Sequence, residues 1–138
     1  PVILAADATV ADALASLRRP EITPAMAALA FICRSPLDTP TGRYLGAVHI
    51  QRLLREPPSI LAATLIDPDI TPLTSSSNVA QVSRYFATYD LVCAPVVDSE
   101  RRLLGAVTVD DVLDHILPND WRGVQLDQLQ EGLTGVQQ

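Results

Sequence analysis

The stretch GAVTVDD (Gly105–Asp111) has a near copy earlier in the chain, GAVHIQR (Gly46–Arg52). Both begin Gly-Ala-Val, and both lead into apolar residues at helical spacing. The later copy carries Thr and Asp, three residues apart, where the earlier copy carries His and Arg. The two copies predict a duplicated structural unit, and the difference between them decides how many ligand sites that unit has.

Equivalent elements surround the two copies. Upstream, ATVADALASL has the apolar stripe of an amphipathic helix, NVAQVSRYFA repeats it, and Thr9 and Asn78 precede the two stripes as N-caps. Short apolar runs bounded by polar loops then predict strands at Met26–Arg34 and Leu91–Asp98. RYLGAV and RLLGAV predict a further strand in each half, and a helix follows each of them.

This order predicts an α/β (α+β) fold of two β-α-β-β-α repeats that pack about a pseudo-twofold axis. We expect the repeats at residues 1–57, with a truncated start, and 58–118, followed by a tail at 119–138 that is a weak helix or disordered. A unit of about 60 residues buries little core alone, so the two sheets should pack on each other. Such packing leaves two related clefts, each lined by a strand-to-helix turn.

Composition narrows the class of protein. The chain has 138 residues and is 48% hydrophobic but only 4% aromatic, so its core is built mainly from aliphatic side chains. A net charge of −6, with arginine as the only basic residue type, gives no electrostatic reason to bind nucleic acid. Cys33 and Cys93 lie in apolar runs and are predicted to be buried free thiols. No segment has the pattern of a membrane span or a signal peptide, and we expect a cytoplasmic location. The chain begins with Pro rather than Met and is apolar at its second residue, so we expect a piece of a longer protein.

The repeat, its G-x-x-T-x-x-D turn and the phrases APVVD, RLLGAVT and DDVL resemble a pair of CBS (cystathionine-β-synthase) domains, the Bateman module. PTGRYLGAVHIQRLLREPPS and GAVTVDDVLDHILPNDWR are similar to the CBS region of MgtE-type bacterial magnesium transporters. The resemblance implies a homodimeric regulatory sensor that binds an adenosine nucleotide (ATP, ADP or AMP), with or without Mg²⁺, and controls an attached domain. The nucleotide-binding residues that it implies are Gly105, Ala106, Thr108, Asp110 and Asp111 in the second repeat and Met26, Ala27 and Ala28 in the first.

The chemistry of the motif agrees with this role but allows another. The Thr108 hydroxyl lies at a helix start, and the Asp111 carboxylate can accept hydrogen bonds from both hydroxyls of a ribose. The same spacing is a capping box, as in Thr9–Asp12, and a ligand could displace such a cap. In the earlier copy, Arg52 has donors only, so we predict at most one ribose site. His49 and Arg52 either meet phosphate or form a solvated helix start.

Two further hypotheses remain open at this point. Asp67 and Asp69, together with Asp114 and its acidic neighbours, are candidate Mg²⁺ ligands, which would make the chain a divalent-cation sensor. Alternatively, the chain is a ligand-free scaffold that dimerises through the apolar helices at Leu53–Leu54 and Val112–Leu117. No nucleophile with an orienting base is recognisable, so we do not expect an enzyme.

Overall fold

The computed structural model describes residues 1–116, with side chains to Asp114, and shows two halves of the same design. The first half consists of β1 (Val2–Ala5), α1 (Val10–Leu17), a 3₁₀ turn (Met26–Ala28), β2 (Leu29–Cys33), β3 (Tyr44–His49) and α2 (Ile50–Leu53). A second 3₁₀ turn (Ala62–Leu65) leads to β4 (Leu73–Thr74), α3 (Val79–Tyr89), β5 (Cys93–Val97), β6 (Leu103–Thr108) and α4 (Val109–Ile116). The predicted fold class is confirmed. The predicted tail at 119–138 lies outside the described residues.

The two sheets share topology and even an irregularity. Their strand orders are β1-β2-β3 and β4-β5-β6, with a parallel first pair and an antiparallel second pair. In each antiparallel pair the register shifts one residue before the glycine, so that Leu45 and Leu104 are extra residues in equivalent bulges. A shared bulge is strong evidence for duplication because bulges are specific features of a strand rather than random defects.

Both predicted N-caps are confirmed. Thr9 and Asn78 each begin a helix with a capping box, in which the cap side chain and the third helical residue exchange hydrogen bonds with each other's backbone. The helices α1 and α3 therefore begin at equivalent positions.

The predicted strand at Met26–Arg34 is wrong at its start, because Met26–Ala28 form a 3₁₀ turn. Thr23 holds this turn, since its Oγ accepts from the Met26 N–H at 3.4 Å and its carbonyl accepts from the Ala27 N–H at 2.9 Å. A short run of Met, Ala and Leu does not by itself distinguish a helical turn from a strand.

The central strand β2 shows how the layers are arranged. All five of its residues are buried. Ala30 and Ile32 face the cluster formed with α1 and α2, whereas Leu29, Phe31 and Cys33 face a cluster shared with the second sheet. The second sheet packs its other face against α3 and α4. The two sheets therefore lie face to face between two layers of helices.

Equivalent residues of the two halves meet at the edge of this sandwich. Arg43 and Arg102, each three residues before the glycine of its strand, form an antiparallel bridge. An antiparallel pair between equivalent residues is what a twofold axis generates. Beside it, the Tyr44 N–H donates to the Arg101 carbonyl at 2.8 Å.

Thr41, which is 1% exposed, stabilises the same contact between the two halves. Its Oγ1 accepts from the Leu103 N–H at 3.0 Å and donates to the Gly42 carbonyl at 2.7 Å. We predict that Thr41→Val, which keeps the shape of the side chain, lowers the free energy of unfolding by about 1–3 kcal/mol, because a buried donor loses its acceptor. Urea denaturation measures this change.

The control is Thr64→Val, which removes an exposed hydroxyl that donates to the Leu61 carbonyl at 2.7 Å. Water can replace that bond, so the free energy of unfolding should change by no more than about 0.5 kcal/mol. Equal effects of the two substitutions would show that the Thr41 contact does not stabilise the pairing of the halves.

Candidate functional site

A cleft of about 850 Å³ lies between the two halves. The first half contributes the segment Thr23–Met26, and the second half contributes Val92 and the turn from β6 into α4. Of the eight predicted nucleotide-binding residues, four line this cleft: Met26, Thr108, Asp110 and Asp111. These four come from distant parts of the sequence, so the fold places Met26 of the first repeat in one cleft with three residues of the second.

The other four predicted residues do not line the cleft. Ala27 packs against the core of the first half, and Ala106 packs against the cluster between the sheets. Ala28 ends the 3₁₀ turn. A methyl group added at Gly105 would meet no atom of the chain within 4 Å.

Thr108 and Asp111 form a capping box at the start of α4. The Thr108 N–H donates to Asp111 Oδ2 at 2.9 Å, and the Asp111 N–H donates to Thr108 Oγ1 at 3.2 Å. Thr108 is buried, whereas Asp111 is exposed to the cleft. The capping interpretation is therefore correct for the structure as it stands. It leaves Asp111 Oδ1 and the Thr108 hydroxyl hydrogen outside the box.

The charge in the cleft is negative. Asp110 and Asp111 lie side by side in the first turn of α4, where the helix dipole favours them. None of the described residues that line the cleft is an arginine. The cleft therefore favours hydroxyl donors or a cation-bound ligand over a free polyanion.

Cys93 lies beneath the cleft. Its thiol is 3.8 Å from the sulfur of Met26, one of the lining residues. Burial, and to a smaller extent Asp111, raises the pKa of Cys93 to about 11. The group is a neutral thiol at physiological pH and serves as an apolar floor rather than as a nucleophile. Cys33 is also buried and free, as predicted.

In the equivalent turn of the first half, the side chains already pair with other residues of the chain. His49 Nε2 lies 2.8 Å from Asp67 Oδ2, and Arg52 Nε lies 3.4 Å from Glu56 Oε2. His49, Arg52 and Asp67 border a separate cleft of about 460 Å³ that Arg55 also lines. Of the two alternatives expected for these residues, a solvated helix start describes Arg52, whose side chain is 56% exposed. It does not describe His49, which has a specific partner in Asp67.

The predicted magnesium ligands are not brought together. Asp67 and Asp69 precede β4, where the Asp69 N–H donates to Asp67 Oδ1 at 2.9 Å, while Asp114 is on α4. Within residues 1–116, no group of three or more His, Cys, Asp or Glu side chains is placed to hold a metal ion. The magnesium site expected from these three carboxylates stays a prediction, and the geometry of the described residues gives it no support.

The pairing of His49 with Asp67 makes stability depend on pH. The hydrogen bond from His49, followed by that from the Asp69 N–H, holds the pKa of Asp67 below its usual value. A carboxylate with a lowered folded-state pKa stabilises the fold above its unfolded pKa of about 3.9 and loses that effect as the pH falls through the folded value. We predict that Asp67→Asn costs about 0.5–1 kcal/mol at neutral pH, a difference that shrinks in acid.

Urea denaturation at several pH values measures this difference. The matched control is a double-mutant cycle with His49→Gln. This substitution removes the His49 hydrogen bond, which is the largest cause of the lowered Asp67 pKa. In that background, Asp67→Asn should have a smaller effect with a weaker pH dependence. An unchanged effect would rule out His49 as the source.

Comparisons with known proteins agree with the geometry. Residues 62–118 match the model of the CBS domain family. The magnesium transporter MgtE of Thermus thermophilus is 38% identical over 73 residues, which cover 53% of this chain and 16% of the transporter. The match thus spans about a sixth of the relative's length.

Solved structures give the same result for the whole fold. The cytosolic domain of the Mg²⁺ channel MgtE, in complex with ATP, is 31% identical with a TM-score of 0.70, covering 83% of this chain and 44% of that one. The CBS pair domain of a Mg²⁺ transporter homologue from Shewanella oneidensis shares the fold, with a TM-score of 0.74 at 23% identity, covering 83% of this chain and 63% of that one. Within the described part of the chain, no helix is long and apolar enough to cross a membrane. The chain therefore has the fold of a CBS pair domain, its residues 62–118 match the CBS domain family, and it is similar to the CBS region of MgtE-type magnesium transporters.

Proposed function

We propose that the chain is a regulatory CBS module that binds an adenosine nucleotide in the cleft between Thr23–Met26 and Thr108–Asp111. The observation that carries the proposal is the convergence of Met26, Thr108 and Asp111 on one cleft. The ATP complex of the similar MgtE cytosolic domain supports the ligand class. Fold alone does not decide between regulation and catalysis, so the proposal rests on the residues of the site.

The lining residues suit the parts of a nucleoside. Asp111 accepts from the ribose hydroxyls through Oδ1, which the capping box leaves available. Thr108 donates through its hydroxyl. Met26 and Val92, which is 48% exposed, offer apolar surface to the base. A polarizable thioether against an aromatic ring is a favourable contact.

Two negative charges in the cleft affect the choice of nucleotide. Asp110 and Asp111 repel a free triphosphate, and Mg²⁺ bound to the phosphates relieves that repulsion. AMP brings fewer charges and needs the ion less than ADP or ATP does. In this proposal Mg²⁺ arrives with the nucleotide rather than at a separate protein site.

Regulation follows from the position of the cleft. A nucleotide there touches both halves, so it stabilises the arrangement of halves in which the cleft fits it. A ligand shifts a conformational equilibrium only by its difference in affinity for the two states, and a site built from two moving parts provides that difference. We propose that the shift passes to an attached domain on the cytoplasmic side of a larger protein.

The same proposal includes a homodimer, although the surface differs from the expected one. Leu53 is fully buried in the core of the first half, so it does not face a partner. Leu54 is 60% exposed and Leu113 is 43% exposed, and these leucines remain for such a contact. Leu117, the end of the expected surface, lies outside the described residues.

The test is binding of AMP, ADP and ATP, each with and without Mg²⁺, followed by calorimetry and melting temperature. Ligand at one hundred times its Kd stabilises the fold by about 2.7 kcal/mol. We predict that Asp111→Ala weakens binding by about 10- to 100-fold, because it removes a charged acceptor. Free ATP should bind more weakly than its Mg²⁺ complex.

The chain supplies a matched control in Asp12→Ala. Asp12 forms the same capping box with Thr9, at the same distances of 2.9 and 3.2 Å, and lies outside the cleft. Both substitutions remove a cap, but only Asp111→Ala should change the affinity. A protein that responds to no nucleotide would support the ligand-free scaffold, and a response to Mg²⁺ alone would support the cation sensor.

A further inference from the structure

Four charged residues, which we term the charged row, lie on neighbouring strands where the two halves meet. The Arg34 N–H donates to the Arg43 carbonyl at 2.9 Å, and the Asp98 N–H donates to the Arg102 carbonyl at 3.0 Å. Arg43 and Arg102 form the antiparallel bridge between the halves. The order across the row is therefore Arg34, Arg43, Arg102 and Asp98, so that Arg34 is the equivalent of Asp98 and Arg43 is the equivalent of Arg102.

In the second half, the chain itself pairs the arginine of this row. Arg102 Nε lies 2.8 Å from Asp98 Oδ2, and Arg102 Nη2 lies 3.0 Å from Glu100 Oε2. The Asp98 carboxylate is held in place because its Oδ1 accepts from the Glu100 and Arg102 N–H groups, both at 2.9 Å. Two carboxylates, two residues apart in the sequence, thus serve one guanidinium group.

The first half has the opposite charge at the position of Asp98. Arg34 and Arg43 are both exposed, and neither forms an ion pair with any residue that the structure describes. Arg43 therefore lies between two arginines, Arg34 on one side and Arg102 on the other. Residues opposite each other on neighbouring strands have their Cβ atoms about 5 Å apart on one face, and like charges there are destabilising.

This departure from favourable pairing indicates a functional surface. The second half shows that the same backbone accepts a carboxylate at the position of Arg34, so the fold does not require an arginine there. Two neighbouring unpaired arginines are also a local exception in a chain whose net charge is −6. Natural sequences depart from locally favourable chemistry mainly at functional sites.

We propose that Arg34 and Arg43 form a docking site for an acidic segment of a partner protein. A carboxylate of the partner pairs with Arg43 as Asp98 pairs with Arg102, and it separates the like charges of the row. Guanidinium groups bind carboxylates through paired hydrogen bonds, which gives such a contact direction as well as charge. The pattern Asp-x-Glu, which serves Arg102 within the chain, is the model for the acidic segment.

The position of the row adds to its use as a docking site. Arg43 belongs to the bridge between the halves, so a segment bound to it lies at the contact that fixes their arrangement. The row shares no residue with the cleft between Thr23–Met26 and Thr108–Asp111. Docking of an acidic segment therefore does not depend on nucleotide binding.

A short acidic segment fits the row better than a nucleic acid does. Duplex DNA carries one negative charge per about 1.7 Å, so it would extend past two arginines onto the surface of an acidic protein. A few carboxylates match the size of the patch without that repulsion.

The test uses the full 138-residue chain and a fluorescein-labelled peptide of repeated Asp-Ser-Glu, with binding followed by fluorescence anisotropy at low salt. We predict that Arg34→Asp weakens peptide binding by about 10-fold or more, because it removes a charged donor and supplies a competing carboxylate. The same substitution should raise the urea midpoint of unfolding, because it copies the pair between Asp98 and Arg102. A protein that is more stable yet binds more weakly has not lost binding through misfolding.

The matched control is Arg84→Asp, which changes the net charge equally. Arg84 is exposed on α3, outside the charged row, and forms no ion pair within the described part of the chain. Its substitution should change the affinity by less than about twofold, since exposed charges act weakly at a distance.

Four results would overturn the proposal. The first two are a peptide that does not bind the parent and an equal loss of affinity in the two variants. The third is a urea midpoint that Arg34→Asp does not raise, because the like-charge pair would then have no cost. The fourth is a different ligand: tighter binding of a thymidine oligonucleotide of equal charge would assign the row to nucleic acid, and displacement of the peptide by inorganic phosphate at equal concentration would assign it to a small anion.

Discussion

Each sheet of this protein has two apolar faces, and its own helices can cover only one of them. The central strand β2 is buried along its whole length because the second sheet covers what α1 and α2 leave open. Burial of apolar surface is the dominant favourable term in folding, so this face-to-face contact holds the halves in one arrangement. The twofold bridge between Arg43 and Arg102 and the buried Thr41 contact follow from it. So does the cleft between Thr23–Met26 and Thr108–Asp111, which the two halves line together.

The strand-to-helix turns of the two halves differ in the partners of their side chains. In the first half, a hydrogen bond between His49 and Asp67 fixes the turn, and the chain itself supplies the partner. In the second half, Thr108 and Asp111 only cap their helix, which leaves acceptor capacity facing the cleft. A duplicated scaffold can thus keep one turn for structure and release the other for binding, without a change in backbone topology.

Local spacing was enough to predict much of this structure. The caps at Thr9 and Asn78, the strands around each glycine and the Thr108–Asp111 turn depend on neighbours within four residues, which the sequence displays directly. The prediction of a strand at Met26–Ala28 was wrong because a short apolar run has no periodicity that distinguishes a helical turn from a strand. The partner of His49 lies 18 residues away, and nothing in the pattern indicates it. The carboxylates proposed for Mg²⁺ could not be placed because contacts between distant elements are set by packing.

The bulges at Leu45 and Leu104 bear on the history of the molecule. Two separate insertions at the same register of two strands are far less economical than one insertion that was later copied. The bulge is therefore older than the fusion of the halves. A single ancestral repeat with this bulge would already have had an apolar face to hide, and it would have hidden it by pairing with an identical molecule through the residue now represented by Arg43 and Arg102. The present chain is then a tethered descendant of a symmetric pair, freed by the tether to let its two turns diverge.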